Sequence, residues 1–181
     1  MNLAIPTDNM VGHMDRIFHI ARGVRSVLEI GVENGTGTTQ AIRSAFEANE
    51  MPGERLWVSV DIVCKIPEWI SPRFPWWHFV VGDSREQSTA NDVRSVMRSV
   101  AAFDLILIDT IHTFDFMERE LQVWNQLSAP NTVWLFHDTW MLGRYNPMTD
   151  AIKAFAEKSD RWAYRDLSKE SHGLGTLEPI R

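Results

Sequence analysis

Acidic and imidazole side chains recur in this 181-residue chain at the ends of short apolar runs. Asp61 follows Leu56-Trp57-Val58-Ser59-Val60, Asp83-Ser84 follow the run at 76–81, Asp109 and His112 follow 103–108, and His137-Asp138 follow 132–136. A carboxylate can accept hydrogen bonds from two ligand hydroxyls at once, and an imidazole titrates near neutral pH and so can take a proton from a reacting group. The run at 27–30 carries Glu29 and opens into Gly31, Gly35 and Gly37, with helix-compatible residues from Thr39. Glycines let the backbone take positive φ or approach a ligand closely, and a helix starting there aims free N–H groups at whatever sits above the turn. The pattern is that of a cofactor-holding turn beside a proton-handling site. Each residue also has a structural reading. Asp83-Ser84, Asp109 and Asp138 could cap the helices or turns that follow them, and Glu29 could simply fix the turn.

To act together these residues need a common frame. Continuous apolar runs at 24–30, 56–60, 76–81, 103–108 and 132–136 are those of strands covered on both faces. Helical stripes lie between them, at 39–50, at Val93, Val96, Met97 and Val100, and at Met117, Leu121 and Trp124. Pro52-Gly53 and Pro130-Asn131 mark turns, and the prolines at 67, 72 and 75 make 64–77 a loop. A further helix is expected at Ala151, Ile152, Phe155 and Ala156, and two last strands at 162–167 and 173–177. Ahead of the first strand, residues 7–22 carry a helical stripe through Met10, Met14, Ile17, Phe18 and Ala21 that Asp8 or Asn9 could cap. The expected fold is α/β: a doubly wound, mostly parallel, seven-stranded Rossmann-like sheet with helices on both faces. One domain is expected over 1–181, with a helical segment at 1–23 and the core at 24–177. Ligands on such sheets bind beyond the carboxyl ends of the strands, where the polar residues above fall.

Composition narrows the partners. A net charge of −6 without a basic run argues against nucleic acid and leaves a small-molecule substrate as the better fit. The single Cys64 excludes an intramolecular disulfide and a multi-cysteine zinc site, which agrees with a cytoplasmic location. The start of the chain is polar by Thr7-Asp8-Asn9 and no apolar stretch is long enough to cross a bilayer, so neither a secretory leader nor a membrane partner is expected. The eight Trp residues are core or partner-facing surface, the latter being the basis for expecting a possible homodimer.

The glycine spacing, Glu-x-Gly-x-x-x-Gly-x-Gly, is neither the Gly-x-Gly-x-x-Gly of pyrophosphate-binding folds nor a phosphate loop, which needs Gly-Lys-Ser/Thr. With Asp61 at the end of the second run it resembles the first two motifs of class I S-adenosylmethionine-dependent methyltransferases. Ile-Asp-Thr-Ile-His-Thr-Phe (108–114), Phe-His-Asp-Thr-Trp (136–140) and His-Gly-Leu-Gly-Thr-Leu (172–177) narrow this to the macrocin O-methyltransferase-like and cephalosporin hydroxylase-like branch, methyltransferase family 24. The resemblance runs from about residue 24 to 177.

That resemblance implies an S-adenosylmethionine-dependent O-methyltransferase acting on a sugar, phenol or natural product. It implies cofactor contacts from Glu29, Gly31, Gly35, Gly37, Asp61, Asp83 and Ser84, with Asp61 on the ribose hydroxyls and Asp83 or Ser84 on the adenine amino group. It also implies a divalent cation on Asp109 and Asp138. Hard oxygen donors suit Mg²⁺. His112, three residues past Asp109, is the expected general base. The chain departs from the family in two places. His137 stands where an acid is common, and could ligate a softer metal, hydrogen-bond within the site or merely pack; Thr110 replaces a glycine, so His112 could be aimed differently. Trp69, Trp140 and Tyr145 could wall the substrate. His13, His19 and His78 read as structural, and His172 as a residue at the rim. Two other functions stand beside this one: a non-catalytic binding or assembly module, which the shortness of the chain favours, and a nicotinamide-dependent oxidoreductase, which the glycine spacing opposes.

Overall fold

Each apolar run becomes a strand whose alternate side chains enter two different cores. The computed structural model describes residues 9–49, 52–66, 74–98, 100–141 and 143–180. Strands β1 (Ser26–Ile30), β2 (Leu56–Asp61), β3 (Trp77–Val81), β4 (Phe103–Ile108) and β5 (Ser128–His137) pair in parallel. After β5 come a small hairpin, β6 (Trp140–Met141) with β7 (Arg144–Tyr145), and then β8 (Trp162–Ser168) and β9 (Leu174–Pro179). The large sheet has the order β3-β2-β1-β4-β5-β9-β8, and β9 is antiparallel to both neighbours. Residues 169–173 are too short a link for a parallel crossover, so β8 and β9 must form a hairpin.

Helices α1 (Met14–Arg22) and α2 (Thr38–Glu47) cover one face, where Val27, Trp57, Leu105, Leu107 and Leu135 meet Ile17, Ala21, Ile42 and Phe46. Helices α3 (Gln87–Val96), α4 (Phe114–Trp124) and α5 (Pro147–Glu157) cover the other, where Leu28, Ile30, Val60, Ile106, Ile108 and Phe136 meet Val93, Leu121 and Ile152. Neighbouring residues such as Leu105 and Ile106 thus enter opposite cores, which is why the runs are apolar without alternation. Pro147 opens α5, where its fixed φ and missing N–H cost nothing. Trp57, Trp124, Trp134 and Trp162 are fully buried, and Trp57 stacks on Trp77 at 4.1 Å between ring centroids. Five of the eight tryptophans, these four and Trp77, therefore fill the core rather than a partner surface. No helix among the described residues is long and apolar enough to cross a membrane.

Several expected boundaries move. The first strand begins at Ser26 rather than 24, α2 ends at Glu47 rather than 50, and α3 stops at Val96, so Met97 and Val100 pack beyond it. Pro130-Asn131 are not a turn between elements but a bulge inside β5: Phe103 pairs with Ser128, and Leu105 pairs next with Val133. Thr132 Oγ1 accepts from the Ala129 N–H at 2.7 Å and donates to the Phe103 carbonyl at 2.6 Å, so the interruption is bridged by a side chain. The loop expected between Trp140 and Pro147 contains the β6–β7 hairpin. Of the segment expected to be helical from residue 7, Asn9–His13 form a 3₁₀ turn leading into α1, and Thr7 and Asp8 lie outside the described residues.

Glu29 sits at the centre of the α2-facing core, fully buried. Its carboxylate accepts from Thr38 Oγ1 at 2.8 Å, Thr39 Oγ1 at 2.7 Å and Ser59 Oγ at 2.7 Å, joining β1, β2 and the first turn of α2. Burial pushes its pKa up to about 7, although the three hydroxyls pull the other way. The folded chain therefore keeps a proton between about pH 4.5 and 7 that the unfolded chain releases. Stability from this group is full below the unfolded pKa and is lost as pH rises to 7. Glu29→Gln, which copies the protonated acid, should remove that slope. The difference between the two proteins in denaturant melts should shift by roughly 3 kcal/mol from pH 5 to pH 8. Parallel pH profiles would show that Glu29 is ionised throughout.

Candidate active site

The β1 strand ends at Ile30, and the chain must leave it without striking β4. Gly31 makes this possible: its φ is +83°, and a Cβ there would lie 1.9 Å from the Asp109 carbonyl oxygen. Its N–H donates to the Val60 carbonyl at 2.9 Å, and the Asp109 N–H donates to the Ile30 carbonyl at 2.8 Å, so three strand ends are tied together here. The turn continues through Glu33 and Gly35, both at positive φ, into α2 at Thr38. Asp61 holds it from the β2 side, with Oδ2 accepting from the Val32 N–H at 2.8 Å and the Glu33 N–H at 2.9 Å. Its Oδ1 has only a long contact with the Val63 N–H at 3.4 Å.

Above these ends lies a cleft of about 410 Å³. Gly31, Gly37, Asp61, Asp83, Ser84 and Asp109 line it, as do the exposed side chains of Ile62, Val63 and Ile111. Two residues expected at the ligand stand back from it. Glu29 lies beneath the turn with both oxygens engaged, so its place is structural, and Gly35 faces Thr39 and Ile66 rather than the cleft. Asp83 pairs with Arg85, at 3.0 Å from Nε and 2.6 Å from the terminal nitrogen, and that guanidinium holds its carboxyl below the ordinary value. The Ser84 hydroxyl turns inward to Glu120 at 2.6 Å.

Glu120 carries no motif and the sequence does not single it out. It is fully buried on α4, accepting from Ser84 and, at 2.7 Å, from the Thr110 hydroxyl, and burial pushes its pKa up to about 7. It thus ties the ends of β3 and β4 under the cleft. Thr110 is the residue that meets it from the end of β4.

Beside the cleft, the ends of β4 and β5 converge on a cluster of acids and imidazoles. His137 Nδ1 lies 3.3 Å from Asp109 Oδ1 and 3.5 Å from Asp138 Oδ1. His112 Nε2 lies 2.9 Å from Asp138 Oδ2, so Thr110 does not prevent His112 from reaching the site. Asp138 has φ +57°, a left-handed conformation that an Asp tolerates better than most residues and that turns the carboxylate back toward β4. Among the described residues, Asp109, His137 and Asp138 form a group able to hold a metal ion, one donor atom of each lying within 4.8 Å of the others.

Two histidines that read as structural or peripheral belong here. His172 Nδ1 approaches Asp138 Oδ1 at 3.1 Å from the β8–β9 link, where Ser171, His172 and Gly173 all have positive φ and the His172 carbonyl accepts from the Trp140 N–H at 2.7 Å. His13, buried just before α1, sets its ring edge-on to His137 at 5.7 Å and bonds the Ser171 carbonyl at 3.1 Å through Nε2. Its partner is 158 residues away, so no local spacing could have revealed it. Trp140 packs edge-on against Tyr145 at 4.6 Å in the hairpin beyond the cluster, and neither borders the cleft; Trp69 lies outside the described residues.

The electrostatics follow from this packing. The Asp138 carboxylate raises His112 above its ordinary value, against the pull of burial. Burial is the largest influence on His137 and lowers it, yet Asp109 and Asp138 together leave it raised. Burial would lift Asp138, but His112, His137 and His172 together hold it below its ordinary value. His13 is lowered, chiefly by burial.

Residues 28–139 match the sequence profile of methyltransferase family 24, described as a methyltransferase domain. The chain belongs to this family. That membership decides against the nicotinamide-dependent reading. No curated protein sequence matches this methyltransferase chain. Among solved structures it is similar to a mycinamycin-pathway methyltransferase, MycE, in complex with Mg, SAH (S-adenosylhomocysteine) and mycinamycin VI. They share 15% identity with a TM-score of 0.63 over 95% of this chain and 50% of that one. An O-methyltransferase from Bacillus cereus in complex with SAH gives 16%, 0.66, 98% and 94%, and the calicheamicin methyltransferase CalS11 gives 13%, 0.68, 94% and 78%. At these identities the likeness is one of fold. The chain spans about half the length of the mycinamycin-pathway enzyme and nearly all of the Bacillus cereus one.

Proposed function

We propose that the chain transfers a methyl group from S-adenosylmethionine to an oxygen of a small hydroxylated acceptor, a sugar, phenol or natural product, with a divalent cation at Asp109, His137 and Asp138. The observation that carries this reading is the double position of Asp109, which borders the cleft and also belongs to the donor group with His137 and Asp138. A cofactor over the glycine turn and an acceptor over the cluster would meet at one strand end. The SAH and Mg in the structurally similar methyltransferases support the same pairing.

The residues present fit such a cation: two carboxylates and one imidazole converge, and His137 and Asp138 are nearly out of water. When bound, the ion supplies positive charge that lowers the pKa of an acceptor hydroxyl and fixes its oxygen. Methyl transfer is an in-line displacement, so the chain contributes alignment and deprotonation. Asp61 keeps the turn open through Oδ2 and leaves Oδ1 for the ribose hydroxyls, while Asp83 faces the adenine end. His112 receives the acceptor proton at Nδ1, while its Nε2, 2.9 Å from Asp138 Oδ2, faces the carboxylate that stabilises the imidazolium that results.

Isothermal titration with S-adenosylhomocysteine, with and without Mg²⁺, tests the cofactor half. Saturable binding in the micromolar range is expected for the wild type, with at least a tenfold loss in an Asp61→Ala variant that still melts cooperatively. A folded wild-type protein that binds none in either condition would sink the proposal for the isolated chain.

A further inference from the structure

The cluster's donor chemistry differs from that of an oxygen-only site, and its spacing is close to that of ligands around one ion. A ligand pair about 2.1 Å from a common ion at tetrahedral to right angles is separated by roughly 3.0–3.4 Å. His137 Nδ1 hydrogen-bonds Asp109 Oδ1 at 3.3 Å and stands 3.5 Å from Asp138 Oδ1, so that it faces two carboxylate oxygens at close to ligand spacing. A charge-assisted hydrogen bond to either oxygen alone would draw in to about 2.7–2.9 Å. The second oxygen of Asp138 is engaged by His112, and Oδ1 is approached by His172 as well, so the carboxylate is oriented from two sides. Outer partners of this kind fix how a ligand points at its metal.

We propose that His137 makes this site select a transition-metal ion, of the Co²⁺, Ni²⁺ or Zn²⁺ class, over Mg²⁺. The inference rests on the proposed cation site and specifies the ion it takes. Imidazole nitrogen is a good ligand for these metals and a poor one for Mg²⁺, which favours oxygen donors and retained waters. Of the three converging donors, His137 is the one whose element type decides between them. Its ring is held in place by His13 on one edge and by the β5 backbone, so turning it aside to leave an oxygen-only site would break the packing with His13.

The experiment is a titration of chelator-stripped protein with Mg²⁺, Co²⁺ and Zn²⁺, each alone, followed by calorimetry and, for Co²⁺, by its visible absorption bands. Wild type is expected to bind Co²⁺ and Zn²⁺ on the order of 100-fold or more tighter than Mg²⁺, following the ligand preference of imidazole. His137→Glu should shrink that ratio at least tenfold by weakening Co²⁺ and strengthening Mg²⁺, with S-adenosylhomocysteine affinity unchanged as a check on folding. Equal wild-type affinities would overturn the selectivity and leave a Mg²⁺-assisted methyltransferase standing. Binding of no metal at all would remove the cation from the proposed function too, and selectivity surviving in His137→Glu would show that His137 is not the selecting ligand. Should the variant fail to fold, pulsed electron paramagnetic resonance of Cu²⁺-loaded wild type decides the matter. Coupling to an imidazole ¹⁴N is expected, and its absence overturns the assignment.

Discussion

Asp138→Asn is expected to reduce turnover by at least about 10²-fold, the scale for losing a positioned acid–base or electrostatic partner, while leaving S-adenosylhomocysteine binding intact. No other carboxylate in the cluster meets as many imidazoles: Oδ2 faces His112 at 2.9 Å, and Oδ1 faces His172 at 3.1 Å and His137 at 3.5 Å. Replacing it with the amide removes the negative charge that stabilises a protonated His112 and takes away one of the converging donors. Asparagine is the right probe because the residue sits at φ +57°, which Asn tolerates and Ala does not, so the backbone is spared. Asp138 does not border the cleft, which is why cofactor affinity should not change. The measurement is release of S-adenosylhomocysteine across a panel of hydroxylated acceptors, beside calorimetry with the product. Turnover within threefold of wild type would mean that the chemistry lies elsewhere than at the β4 and β5 ends.

Gly31→Ala should be the most damaging small change for the fold. The added methyl group would sit 1.9 Å from the Asp109 carbonyl oxygen and 2.7 Å from its carbon, both backbone atoms, at a residue held at φ +83°. The left-handed backbone costs about 1–2 kcal/mol for an L-residue, and relieving the overlap costs a further 1–3 kcal/mol or so by moving β1 away from β4. The expected loss is about 3 kcal/mol or more, a fall in Tm of roughly 6–12 °C for a chain of this size. Cofactor binding should fail with it, because Gly31 and Asp109 border the same cleft. Gly143→Ala is the matched control. Its φ is +77° but no described residue lies within 4 Å of the new methyl group, so only the backbone cost of about 1–2 kcal/mol remains. Equal melting temperatures for the two variants would show that the Gly31 contact relaxes freely.

Glu29 and Glu120 mark what is legible locally and what is not. Glu29 stood out because an acid interrupts an apolar run, but the run could not say whether it faced a ligand or the core. Its three hydroxyl partners come from β2 and α2, and they make it structural. Glu120 was invisible, since an acid on an amphipathic helix is normally solvated; it is buried because Ser84 and Thr110 come to it from two other elements.

The sequence by itself determined the α/β architecture, the glycine turn, and the alignment of Asp61, Asp83, Asp109, His112 and His137-Asp138 at strand ends. These are short-range properties: strands buried on both faces must be apolar throughout, and polar ligand residues are confined to where the apolar runs stop. Only the tertiary structure decided that β9 enters between β5 and β8, that five of the tryptophans are core, and that His13 and His172 join the cluster. Sheet order and side-chain meetings depend on contacts across long stretches of chain, 34 residues for His172 with Asp138 and 158 for His13 with Ser171. No periodicity encodes such a pair; it exists only once the β8–β9 link has folded back over the end of β5.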